Sequence, residues 1–403
     1  MTGFDTATAA IASERRAAAA DRQSAMSFEV ELRPLAELAA VAEEWRSLAA
    51  RAIEPNAFYE PGFALAAAPL LGVDVRCGLV WSRAPRQLVG FFPVRIDRRR
   101  YGVPFAVTVG WTHPYAPLGT PLVDRERAEP AIAAWLDHVA GDPALPDLML
   151  LPLIAHAGPF ANALADVLAR RGCEAAASFG RHQRALLLPG ESRTDYFQRT
   201  MSRKRLRNMR RRQRQLEQLG GVTLEEVRTG DAVARGLDDF FRLEASGWKG
   251  RAGTAAMQND GVHAFMRGAV MALAGENKVR IHRLLAHGKA IAATIALKSG
   301  GAAWGWKVAY DENYADYSPG VLAVAGLTEA LLADPAVAQA DSCAAATDTM
   351  APQLWNERLT MADWLFTPAP EAAFSFGLAS RLESLRRAAI AAAKSARDRL
   401  RGR

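Results

Sequence analysis

Cysteine is scarce in this chain: Cys77, Cys173 and Cys343 are the only three in 403 residues, far apart and odd in number. That excludes a disulfide framework and gives no zinc cluster, so a reducing, cytoplasmic setting is the expectation. Long apolar runs are also missing, and no stretch approaches the roughly 18 residues that a membrane span needs. A soluble protein is expected. Residues 1–26 contain Arg15, Arg16 and Arg22 and some acids but no continuous apolar run of the signal-peptide kind, and they read as a flexible arm. Histidine is sparse too. His113, His138, His156, His182, His263, His282 and His287 show no pair at metal-ligand spacing with a cysteine or acid, so no metal is expected. Neither a G-x-x-x-x-G-K-[ST] phosphate loop nor a G-x-S-x-G nucleophile setting occurs, which removes two large enzyme classes.

What is present is ample core material. Half of the residues are apolar and 23% are charged, and the length suggests two domains of roughly 150 to 200 residues each. The net charge of +7 is concentrated locally. Residues 199–214 (RTMSRKRLRNMRRRQR) carry nine cations and no acid, residues 381–403 contribute +6, and the remainder sums to −8. A mildly acidic body with two basic segments points to phosphate, nucleic acid or an anionic membrane surface as the partner of those segments. Leu206, Met209, Leu216 and Leu219 recur at helical intervals, so the first segment is expected to dock as a helix while displaying its arginines. The second, with Leu382, Leu385, Ile390 and Leu400, reads as another basic helix.

The element order is α/β. Residues 28–33 alternate like a strand, 35–50 look helical, 56–61 form a turn, and 76–81 with 88–96 form a strand hairpin. The same order returns about 200 residues later: helices around 232–244 and 263–274, then a hairpin of 279–286 with 290–297. An aromatic strand carrying Trp304, Trp306, Val308 and Tyr310 follows. Beyond it come a helix, a short strand at 337–343, another helix at 352–359 and a last strand at 364–366.

The segment from Gly301 to Leu332 organises this second half. After the aromatic strand, Ser318 suits an N-cap, Pro319 the first helical position, and Gly320 leaves no side chain in the way of a ligand. A helix start of this kind presents free N–H groups and partial positive charge to an anion such as a pyrophosphate.

The stretches FFRLEASGWKGRAGTA (240–255), KVAYDENYADYSPGVL (307–322) and DSCAAATDTMAPQLWNERL (341–359), preceded by LRNMRRRQRQLEQLGG, resemble the GNAT-related acyltransferases of the CelD-like class. That class is similar in fold to the Fem-type transferases. The resemblance covers roughly residues 28–370 and implies two GNAT-like domains in tandem with mixed sheets. It implies a flexible arm (1–26), a noncatalytic N-terminal domain (27–195), a basic helix (196–220), an acyl-CoA-binding C-terminal domain (221–370) and a basic C-terminal helix (371–403). It further implies acetyl-CoA or another acyl-CoA as co-substrate, its pyrophosphate held at Ser318, Gly320, Val321 and Leu322. The family's loop has Arg or Gln three residues before its first glycine, whereas this chain has Tyr317 there.

Acyl transfer to an amine or hydroxyl needs a base, an oxyanion donor and alignment of the reactants. Candidate bases are Glu244, Asp341 and Asp348. Trp248 and Trp355 are candidates for stacking on a sugar or acyl chain, and Lys249 and Lys307 for pairing with an acidic substrate or a CoA phosphate. The expected function is transfer of an acyl group, acetyl first, from acyl-CoA to an amine or hydroxyl, with a cell-envelope saccharide as one acceptor. The alternatives are a Fem-like transferase that takes its aminoacyl group from tRNA, and a noncatalytic scaffold in polysaccharide biosynthesis. Residues 199–214 would meet tRNA or the inner face of the membrane.

Overall fold

The alternation of Phe28, Val30 and Leu32 with charged neighbours opens the first strand, β1 (Phe28–Pro34), in a computed structural model that describes residues 28–344 and 350–400. A 3-10 turn leads into α1 (Ala42–Arg51). Asn56 then turns the chain by accepting a hydrogen bond from the Phe58 amide, and Pro61 starts α2 (Pro61–Leu71) with its φ already helical. Strands β2 (Arg76–Arg83), β3 (Arg86–Asp97) and β4 (Val107–Gly110) follow in antiparallel succession, with the short β5 (Leu122–Val123) on the side of β3. Then come α3 (Ala128–Gly141), β6 (Met149–Ala155), α4 (Pro159–Arg170) and β7 (Ala177–Leu187).

Two helices, α5 (Arg193–Thr200) and α6 (Arg203–Glu217), link this half to a second unit of the same order. That unit is β8 (Val222–Val227), α7 (Gly230–Ser246), α8 (Asp260–Gly275), β9 (Val279–Ala286), β10 (Lys289–Ser299), β11 (Ala302–Tyr310), α9 (Pro319–Leu332) and β12 (Gln339–Asp341). It ends in β13 (Glu357–Phe366) and the long α10 (Ala373–Leu400).

All strands join one mixed sheet in the order β1-β2-β3-β4-β6-β13-β7-β12-β11-β10-β9-β8, with β5 branching from β3. Only β4 with β6 and β11 with β12 run parallel, at corresponding points of the two halves. β13 enters the middle of the sheet, antiparallel to β6 on one side and β7 on the other. The helix expected at 352–359 is therefore corrected. Pro352 lies in a single 3-10 turn, Ala351–Gln353, after which Glu357–Thr360 pair with the edge of β7, so long-range pairing outweighs local preference.

The seam between the halves is apolar. Phe58 meets Trp304, and Phe63 makes edge contacts with both Phe265 and Trp306 at ring-centroid distances of 5.4 and 5.6 Å. Polar ties sit around it: Glu60 of the first half accepts from Lys278 Nζ at 2.8 Å and from Ser299 Oγ at 2.6 Å. At the far end, Phe376 and Ala379 bury the start of α10 against Val107 and Leu365, while Leu385 and Ile390 further along are exposed. No helix among the described residues is long and apolar enough to cross a membrane.

Candidate functional site

Strands β11 and β12 pair only from Ala302 to Trp304 against Gln339 to Asp341, so β11 runs on through Gly305–Tyr310 paired only with β10. Within that pairing Ile295 faces Lys307 and Ala296 faces Gly305, which leaves Trp306 as the extra residue of a β-bulge. The chain then makes a 3-10 turn, Glu312–Tyr317, and enters α9.

The start of α9 differs from its expected form in one respect. Ser318 sits in the left-handed region at φ 52°, and its side chain does not cap the helix. Its hydroxyl accepts instead from Arg212 Nη1 of α6 at 2.5 Å. The Leu322 amide donates to the Ser318 carbonyl, so it is taken up within the helix, while the Gly320 and Val321 amides precede that first intrahelical bond. A Cβ at Gly320 would lie 3.0 Å from the Tyr310 ring and 3.4 Å from the Met350 methyl. A side chain at 320 would therefore press on Tyr310, which would have to give by a few tenths of an ångström.

Helix α6 reaches this place because its sparse apolar positions point inward. Leu206 and Met209 pack against Val321 and Leu354, and Leu216 is fully buried beside Leu322 and Ile291. Arg212 is carried with them. The result is a cavity of about 320 Å³ between α6 and α9, lined by Lys204, Arg205, Asn208 and Arg212 on one side and by Ser318 and Val321 on the other. Its described lining holds three cations and no carboxylate, and the α9 N-terminus adds partial positive charge. Such a surface suits a phosphate or pyrophosphate. The cation missing at Tyr317 in the sequence is supplied from α6.

A second cluster lies where the first half meets β11. Glu244 at the end of α7 is buried, and its carboxylate accepts from Lys249 Nζ at 2.6 Å and from the Ala256 amide at 2.9 Å. The turn that carries Lys249 is tied down by Glu312, which accepts from the Trp248 amide and from Arg251. Gly250 is required in that turn because a Cβ there would lie 1.7 Å from the Ala245 carbonyl oxygen. Trp248 itself is exposed, with the Lys249 ammonium 5.9 Å from its ring centre.

Lys307 stands opposite. Its ammonium lies 4.7 Å from the centre of the Tyr115 ring and 5.4 Å from that of Trp306. Burial and then the neighbouring Lys249 push its pKa down to about 8, against the opposing pull of Glu244. Tyr115 is drawn in by Trp306, whose indole donates to its carbonyl at 2.8 Å, and burial followed by Glu244 raises its phenol. His113 in the same loop is pushed down to about 3 by burial and by Lys307, and its Nε2 is buried without a hydrogen-bond partner. Tyr115 and His113 belong to the Pro/Gly/aromatic loop 110–119, whose sequence offered no signal for this contact.

The other expected site residues are placed differently. Asp341 is buried with both oxygens engaged: Oδ2 accepts from Arg184 Nη1 at 3.0 Å and Oδ1 from the Cys343 amide at 2.9 Å. Arg184 also donates to the Pro117 carbonyl at 2.7 Å, so this pair holds β7, β12 and the 110–119 loop together. Trp355, expected to stack on a ligand, is instead a core residue whose indole donates to Thr328 Oγ1 at 2.9 Å. Asp348 lies outside the described residues. Among those residues, no group of three or more His, Cys, Asp or Glu comes together as a metal set.

Residues 203–348 match the family model described as an acetyltransferase (GNAT) domain. No curated protein matches the chain. Three solved structures are similar across most of it. A conserved protein of unknown function from Bacteroides thetaiotaomicron shares 12% identity at a TM-score of 0.53, over 84% of this chain and all of its own. The C-terminal domain of a proposed lysylphosphatidylglycerol synthetase from Agrobacterium fabrum shares 12% at 0.50, over 83% of this chain and 94% of its own. FemX shares 8% at 0.51, over 81% and 96%. At these identities the likeness is one of fold, and the GNAT domain is indicated by the family model over residues 203–348.

Proposed function

We propose that the chain is an acyl-CoA-dependent acyltransferase whose CoA phosphates are held between α6 and α9 and whose acceptor is an amine or hydroxyl. The observation that carries this reading is the Arg212–Ser318 contact, which closes a cation-lined cavity on the N-terminus of α9. β11 parts from β12 beyond Trp304 and continues through the bulge at Trp306, and the pantetheine arm is proposed to run along this stretch. At its end the Lys307 cluster supplies proton chemistry. An acceptor nitrogen attacks the thioester carbonyl carbon and its proton passes to neutral Lys307, while the carbon–sulfur bond breaks and CoA leaves as its thiolate, which is then protonated by water. A base with a pKa near 8 is well matched to that task. Glu244 stabilises the ammonium that forms, and Lys249 and Ala256 hold Glu244 in place.

Isothermal calorimetry with acetyl-CoA tests the reading directly. Binding is expected for the wild type and should weaken about tenfold in Arg212→Gln, the order of one charge-assisted contact. Absence of binding in the wild type would refute acyl-CoA use and favour a noncatalytic scaffold.

A second use of α6 rests on a separate observation: Arg203, Arg207, Arg210, Arg211 and Arg214 are exposed on it. We propose that this outer face meets a polyanion, either tRNA or an anionic membrane. Replacing Arg210 and Arg211 with Gln should leave acetyl-CoA binding intact while flattening the salt dependence of tRNA retention or vesicle co-sedimentation. A wild type that binds neither at 50 mM salt would leave α6 with the phosphate role alone. The cell-envelope saccharide remains our preferred acceptor class, to be tested by thiol release from acetyl-CoA across a panel of amino sugars.

A further inference from the structure

A larger cavity, of about 430 Å³, lies on the seam between the two halves. Ile53, Glu54, Pro55 and Leu118 line it from the first half, and Trp304 with Asp341 from the second. Glu54 is only 8% exposed and turns its carboxyl group toward the start of α4. Its two hydrogen bonds are long, 3.3 Å from the Phe160 amide and 3.4 Å from Thr120 Oγ1, and no lysine, arginine or histidine among the described residues forms an ion pair with it. The space it occupies is kept clear by the backbone: a Cβ at Gly158 would lie 2.5 Å from Glu54 Oε2.

Of the other charges on the wall, Asp341 is neutralised by Arg184, while Arg358 is solvent-exposed, directs Nη1 to the carbonyls of Trp355 and Glu357, and forms no ion pair among the described residues. A buried carboxyl group with weak partners and no counter-ion is costly to ionise, and a cation entering the cavity would remove that cost. Trp304, which also lines the cavity, is an aromatic residue of the kind that attracts ammonium groups.

We infer that this cavity is a binding site for a small ligand bearing a primary ammonium group, with Glu54 as its counter-ion and Trp304 as its aromatic wall. The site is separate from the α6/α9 cavity and does not depend on acyl-CoA use.

Cyclohexylamine and cyclohexanol, which match in size and differ in charge, are suitable probes for calorimetry and saturation-transfer NMR on the full chain. The amine should bind the wild type at least tenfold more tightly than the alcohol, and Glu54→Gln should erase that preference. Equal binding of the two probes by the wild type, or a preference that survives in Glu54→Gln, would overturn the inference. Acetyl-CoA titrated into the same samples reports on the α6/α9 cavity alone, so failure of one site is distinguishable from failure of the other. A wild-type pH series covers the case in which Glu54→Gln does not fold. Burial pushes Glu54 up to about 7, opposed by the Phe160 and Thr120 hydrogen bonds, and the facing charges are Asp341, held by Arg184, and Arg358. The ionised fraction of Glu54 rises roughly tenfold between pH 6 and pH 8 while the amine stays protonated, so amine affinity should rise roughly tenfold and alcohol affinity should not change. An amine affinity that is flat over that range would also overturn the inference.

Discussion

Helices α3 and α9 occupy corresponding places in the two halves, yet the side chains around their N-termini differ. Before α3, Asp124 accepts from the Glu126 amide at 2.9 Å and from Arg51 Nε at 2.5 Å, and Glu129 in the first turn pairs with Arg170. Each of these carboxylates is thus paired with an arginine, and the N-cap position is Arg127. Before α9 stands Ser318, with no acid in the first turn and with Arg212 against its hydroxyl. A helix dipole is common to both and so distinguishes neither. What separates them is the neighbouring chain: a paired aspartate in one case, a cationic helix in the other.

The largest effect is expected from disturbing the self-satisfied copy. Asp124 is buried, and Asp124→Asn leaves Arg51 without its carboxylate, which should cost about 3 kcal/mol in urea unfolding. The variant should gain no acetyl-CoA site at α3 and should keep the affinity at α9. Acetyl-CoA binding that doubled in stoichiometry would show that removing the acid alone makes an anion seat.

The converse change places an acid at α9. Aspartate tolerates the left-handed backbone at position 318, so Ser318→Asp should fold, pair with Arg212 and lower acetyl-CoA affinity about 100-fold, or about 2.7 kcal/mol. Unchanged affinity in calorimetry would move the phosphate site away from α9. A smaller effect is expected from the Lys307 cluster. In the proposed role Lys307 is neutral, so thiol release from acetyl-CoA should rise with pH through about 8. Glu244 favours the charged form, and Glu244→Gln should therefore shift that limb to lower pH as well as reduce turnover. A limb left in place by the substitution would separate Lys307 from the reaction.

Much of the architecture was legible in local pattern. The 279–297 hairpin, the aromatic strand and the Pro319-Gly320 helix start lie where alternation, turn residues and proline placement put them. Glu244 and Lys249, five residues apart, were also within reach of local reasoning and form a contact. β13 was not, because its residues take their conformation from β6 and β7 on either side rather than from their own preferences.

By itself, the sequence determined the α/β order, the repeat of that order, and the amphipathic character of the basic helix. Tertiary structure alone decided what that helix touches. Arg212 and Ser318 are 106 residues apart, and no property of either segment encodes the other as its partner. Likewise Lys307 meets Tyr115 only because Trp306 reaches the 110–119 loop across the seam. Local propensity acts over a few residues, whereas these contacts are set by how apolar faces stack. The same stacking brings Arg212 to one helix start and an arginine-paired aspartate to the other.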